Sequence, residues 1–300
     1  MIQRTSALRT CRARWAVVLT LCGAASGSVQ AAQDVSLPQP TSVPPVESTL
    51  ADAQRHFYNA RYAAAADLAL ALRSPETPDL PNHELRSSAL LFQLKRLLEP
   101  PGEKHTTSGK RDKERALKNC VPCPELMTAF FKDVAEGQKA AREMLRADPR
   151  DATALFYLGK LDLNYVWLQL GPLGRKTGWD EYWEARRSLD AVLKEQPRHV
   201  RALVARAWID YIVDTKMPWG TRWVLGGGSR KRALAAVRDA ASIEAEFFTH
   251  TEAEFALWDM QVRERDFVRA TDVARRLAAN FPDNRELAVF LADREASALQ

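Results

Sequence analysis

From Leu50 onward, apolar positions recur every three or four residues, the period of an amphipathic helix, and no alternating β-branched stretch competes with them. The pattern predicts helices over 50–59, 62–74, 82–98, 124–147, 152–170, 180–195, 199–215, 230–244, 250–263, 266–279 and 284–297, the last as a cap. The stretch 161–170 (LDLNYVWLQL) is apolar on all sides, as in a buried central helix.

A finer regularity runs through these helices. Ala185, Leu189 and Val192 are followed by Pro197, at offsets 0, 4, 7 and 12. Gly137, Ala141, Met144 and Pro149 share those offsets, as do Ala270, Ala274, Leu277 and Pro282. Ala233, Val237 and Ala240 repeat the first three, and Ala65, Ala69 and Leu72 give a weaker copy with Pro78 one place late. Offsets 0, 4 and 7 share one helix face. A small residue at the first lets a neighbouring helix approach, and the proline ends one helix and opens the next.

With Leu158-Gly159 in a first helix, Ala185 and Pro197 in the second, and Phe267, Ala270 and Pro282 in the last copy, the sequence resembles the tetratricopeptide repeat (TPR) family. Gly226-Gly227-Gly228 before an Ala/Leu helix, Glu252-Ala253-Glu254 and Asn280-Phe281-Pro282-x-Asn284 are similar to a pattern in exported bacterial members. The resemblance spans roughly residues 50–295. It implies an all-α, right-handed solenoid of about five helical hairpins with a C-terminal capping helix, an architecture most often used to bind peptides or proteins.

The spacing departs from the family's. A TPR unit is about 34 residues long, whereas Gly137, Ala185, Ala233 and Ala270 lie 48, 48 and 37 residues apart. The excess fits between the two helices of a unit, at 171–179 and 217–229, with a longer insertion at 99–122 in the preceding unit. Equivalent loops of a stack emerge on one edge, so the three are expected to cluster and to mark a binding face.

The N-terminus changes the compartment. Arg4, Arg9, Arg12 and Arg14 precede an apolar run at 15–25, and Val29-Gln30-Ala31 supplies small residues at the −3 and −1 positions, so cleavage is expected after Ala31 or Ala32. The run is shorter than the ~20 residues that span a bilayer, and bulky Leu21 before Cys22 argues against lipidation. The expected organisation is a leader (1–31), a Pro-rich linker (32–49) and a helical-repeat domain (50–298), in a periplasmic or secreted protein without a membrane span. The formal charge of +5 falls to +1 without the leader, which disfavours nucleic-acid partners.

Export leaves Cys120 and Cys123 in an oxidising compartment, where a structural disulfide is the first expectation. A redox dithiol and half of a metal site remain as alternatives. Haem attachment fails because residue 124 is Pro, and the histidines show no paired ligand spacing. No cofactor or metal is expected. Phosphate-loop, GxSxG and HExxH motifs are missing. Asp162, Glu181, Asp210 and Asp214 have no spacing that would pair them for hydrolysis, and 104–118 reads as a solvated charged loop.

The insertions carry the candidate site: Arg175, Lys176, Trp179 and Trp183 around the first, and Trp219, Arg222, Trp223, Gly226, Gly227, Gly228, Arg230 and Lys231 around the second. Indoles beside guanidinium groups, with glycines ahead of a helix N-terminus, suit an acidic peptide or a small anionic ligand. The alternative is that the tryptophans pin the loops and the glycines allow sharp turns. The expected role is a non-catalytic binding or scaffold module with a protein or peptide partner in the cell envelope. A helper of a solute transporter binding a small anion, and a thiol oxidoreductase using Cys120 and Cys123, are the other readings.

Overall fold

A computed structural model describes residues 48–74, 78–98 and 110–298. The expected leader, its cleavage site and most of the Pro-rich linker lie outside these residues, as does 99–109 of the longest insertion. Among the described residues the chain forms helices and no strand. They are α1 (Leu50–Tyr58), α2 (Tyr62–Ala71), α3 (Leu80–Leu98), α4 (Lys110–Asn119), α5 (Cys123–Ala147), α6 (Ala152–Leu170), α7 (Trp179–Glu195), α8 (Val200–Lys216), α9 (Trp219–Arg222), α10 (Arg230–Ser242), α11 (Phe247–Arg263), α12 (Phe267–Asn280) and α13 (Arg285–Ala298). No helix among them is long and apolar enough to cross a membrane.

Polar side chains define the starts. Thr49 and Asp52 form a reciprocal capping box on α1, Asp151 accepts from the Thr153 and Ala154 amides, and Ser229 accepts from the Arg232 amide. Small anchors set the spacing between helices. A methyl added at Gly137 would lie 2.7 Å from Leu161 Cδ1, so α5 and α6 approach over it, and Ala141, Ala185, Ala233 and Ala270 are buried in the same register.

Five antiparallel pairs result: α1/α2, α3/α5, α6/α7, α8/α10 and α11/α12, with α13 last. The first helices of successive pairs also touch, α3 against α6 and α8 against α11. This is the hairpin solenoid that the repeats predict. The three insertions fall inside pairs, as the spacing requires.

One expectation needs correcting. The charged stretch read as a solvated loop contains helix α4, whose Ala116 and Leu117 pack on the core shared by α2, α3, α5 and α6. At the other end α13 caps the stack, and the turn before it also meets α1. Asn284 donates to the Tyr58 carbonyl (2.7 Å), the Asp283 amide donates to Asn59 Oδ1 (3.3 Å), and Arg61 pairs with Asp283 (2.5 Å). Tyr58 stacks on Phe248 and Phe255 and leans on Phe281, with centroids at 6.0, 5.3 and 5.5 Å. The solenoid therefore closes into a ring.

Candidate functional site

Ring closure encloses a cavity of about 1920 Å³, open to solvent and lined mainly by α3, α6, α8 and α11. Its floor is a cycle of alternating charges from the N-terminal halves of these helices. Lys160 Nζ lies 2.7 Å from Glu252 and 3.4 Å from Glu84, and Arg201 lies 2.9 Å from Glu84 and 2.5 Å from Glu252. Ser88 also donates to Glu84, and Asn164 to Ser87 and Ser88. Burial alone would raise the Glu252 pKa, but Arg201 and Lys160 hold it at about 2. Burial alone would likewise lower Lys160, and the carboxylates of Glu252 and Glu84 raise it instead. The cycle neutralises itself, so the floor offers shape and polarity but no net charge.

The wall above is aromatic. Phe92, Trp167, Trp208, Phe255 and Trp258 line it, with Leu91, Leu163 and Ile212 between them. The mouth is basic: Lys95, Arg115, Arg175, Lys176 and Lys216 line it, against Asp112 and Glu286, while Asp259 is held by Arg263 at 2.8 Å.

The described parts of all three insertions line this mouth. Lys113 of α4 donates to the Gly171 carbonyl, and its chain packs on Gly174. Tyr182 donates to the Leu225 carbonyl (2.7 Å), and Arg186 to the Leu225 and Gly226 carbonyls (3.3 and 2.9 Å). The predicted clustering of the insertions along one rim is what the structure shows.

The structure divides the candidate residues. Arg175, Lys176 and Trp179 line the cavity mouth, with Trp179 49% exposed. Trp183 is half-buried against the α6–α8 core, in the packing role foreseen for a loop-pinning tryptophan. Trp219 and Trp223 do not pin anything: they are 86% and 78% exposed. Arg222 pairs with Asp214 (2.7 Å) and donates to the Met217 carbonyl. Arg230 Nη1 lies 3.6 Å from Glu264, and Lys231 is exposed.

Gly226 and Gly228 serve close packing, while Gly227 has open space around it and a left-handed φ of 73°. A methyl on Gly228 would sit 2.5 Å from the Asp210 carbonyl, and Gly226 holds a left-handed φ of 77° with the Arg186 guanidinium where a Cβ would go. The anion-binding amides that open α10 already have partners, since the Arg230 amide donates to Asp214 (2.9 Å) and the Arg232 amide to Ser229 (3.3 Å).

The other candidates resolve as structure. Cys120 and Cys123 form a disulfide at the start of α5, with Cys123 buried and Cys120 half-buried. The four carboxylates do not converge. Asp210 pairs with Arg206 and Asp214 with Arg222 (2.7 Å each), while Asp162 is buried and accepts from Gln138 (2.6 Å). His83, Asp133 and Glu136 lie close enough together to hold a metal ion, but Arg73 (2.6 Å) and Arg86 already neutralise Asp133.

The sequence reading missed the floor of the cavity. Glu84 and Arg201 carry no signal of their own and Glu252 stands out only within Glu252-Ala253-Glu254, because nothing in one helix reveals that the ring brings these three and Lys160 together. One signal was present: Lys160 stands in a helix that is otherwise apolar on most sides.

No family model matches the chain, and no curated protein matches it. Among solved structures it is similar to a thermophilic TPR protein from Thermus thermophilus, at 17% identity and a TM-score of 0.44, over 83% of this chain and 96% of that one.

Proposed function

We propose that the protein is an exported, non-catalytic binding module of the cell envelope that takes an extended acidic segment of a partner protein into its ring. The observation that carries this reading is the cavity, with aromatic walls and a basic mouth. Its volume of about 1920 Å³ exceeds the ~300–1,000 Å³ of ordinary small-molecule pockets. An extended peptide buries alternate side chains against such walls, and its acidic side chains meet Arg175, Lys176 and Lys216 at the mouth. Export rests on the leader pattern, and the mature chain recovered from a periplasmic extract should begin at Ala32 or Gln33 by N-terminal sequencing.

The test is a fluorescence titration with short peptides alternating leucine with glutamate or with lysine. Saturable quenching of Trp167 and Trp208 by the acidic peptide alone, weakened at least tenfold in Trp208→Ala, is the expected result. Saturation by a small dicarboxylate with no response to either peptide would replace this reading with that of a solute-transport helper.

A further inference from the structure

We propose that the turn carrying Trp219 and Trp223 docks the protein on a membrane surface that bears anionic lipid headgroups. The two indoles stand four residues apart on the single turn of α9 and its continuation, 86% and 78% exposed, with Val224 beside them at 54%. Leaving three large apolar side chains in water is unfavourable, and the turn is not loose enough to fold them away.

Its inner side is clamped. Leu225 is buried, its carbonyl accepts from Tyr182 and Arg186, Arg222 is tied to Asp214 and the Met217 carbonyl, and Gly228 is pressed on α8. The clamp anchors one side of the turn in the fold and holds the tryptophans outward.

The charge around the turn selects the occupant. No Asp or Glu occurs between Thr215 and Arg238; Lys216, Lys231 and Arg232 flank the turn, and Arg222 and Arg230 are paired with Asp214 and Glu264. Indoles favour the headgroup layer, and each nearby cation adds attraction to an anionic leaflet. A protein partner fits less well. Two indoles present about 150–250 Å² each, below the roughly 800 Å² that each side of a stable protein interface contributes. A headgroup layer needs no matching pocket. Pro218 and Thr221 of the same turn line the cavity mouth, so docking would hold that mouth beside the membrane surface.

The experiment is co-sedimentation of the mature chain, recovered from a periplasmic extract, with vesicles of phosphatidylcholine alone or mixed with phosphatidylglycerol, without peptide. Failure here would therefore leave the cavity reading untouched. Binding to the anionic vesicles, lost with added salt and weakened at least tenfold by Trp219→Ser with Trp223→Ser, is the expected result. The same variant should keep its helical circular dichroism and melting temperature, since neither indole is packed. Lys216→Gln with Lys231→Gln should weaken binding about threefold or more and leave folding unchanged. Equal vesicle binding by parent and tryptophan variant would overturn the proposal. So would a parent dimer in light scattering that the tryptophan variant converts to monomer, which would make a second copy the occupant.

Discussion

Two buried carboxyls titrate in opposite senses, and each limits stability at one end of the pH scale. Burial, reinforced by the nearby charge of Glu184, pushes Asp162 up to about 9. An acid raised in the fold stabilises fully below its unfolded value near 3.8, and that contribution is lost as pH rises through 9. Glu252, held at about 2, contributes stability above its unfolded value near 4.5 and loses it as pH falls toward 2. Asp162→Asn should therefore flatten the alkaline fall in melting temperature between about pH 6 and about pH 9.5, with little change at the acid end. Glu252→Gln leaves Lys160 and Arg201 sharing Glu84, and should cost about 3–5 kcal/mol in urea unfolding at neutral pH. A loss below about 1 kcal/mol would mean that the cycle is not what holds the floor.

At the scale of elements, helix periodicity and the small anchors carried most of the information. Ala185, Ala233 and Ala270 marked the second helix of their pairs because an alanine there is a packing requirement between neighbours in sequence. Helix α4 escaped because it is highly charged, and only Ala116 and Leu117 of it reach the core. Trp219 and Trp223 were noticed as residues, but their exposure was not legible, since composition cannot say which side of a turn is clamped. The disulfide is local too. Closing so short a loop contributes about 2 kcal/mol by chain entropy, and Cys123 sits at the first turn of α5. Cys120→Ser with Cys123→Ser should keep the fold and lower the melting temperature by ~4–8 °C, and a reducing agent should lower the parent to match. Collapse of the helical signal in that variant would show that the linkage organises the whole α3/α5 pair.

The ring is a property of the whole molecule, and its parts lie far apart in the chain. Phe281 and Asn284 stood out in the sequence as repeat-like positions, yet their role is to meet Tyr58 from the other end of the fold. The seam's polar contacts are modest: the Arg61–Asp283 pair is half-exposed and such pairs contribute ~0–1 kcal/mol, and the hydrogen bonds of Asn284 and the Asp283 amide add about 0.5–1.5 kcal/mol each. Closure is therefore assigned to Tyr58, whose ring packs against Phe248, Phe255 and Phe281 together. Burial also pushes its hydroxyl well above the ordinary tyrosine value, so it stays neutral beside the floor charges. Each hairpin also packs on its neighbours along the stack, so opening the seam need not unfold the chain. Tyr58→Ala should cost ~3–5 kcal/mol of seam packing, enlarge the radius of gyration in small-angle scattering, and speed amide exchange in α1, α2 and α11–α13 while α5–α8 stay protected. Tyr58→Phe keeps the ring and should keep the seam shut. If exchange instead rose evenly along the whole chain in Tyr58→Ala, the stack and the seam would be one cooperative unit, and the cavity could open only by unfolding.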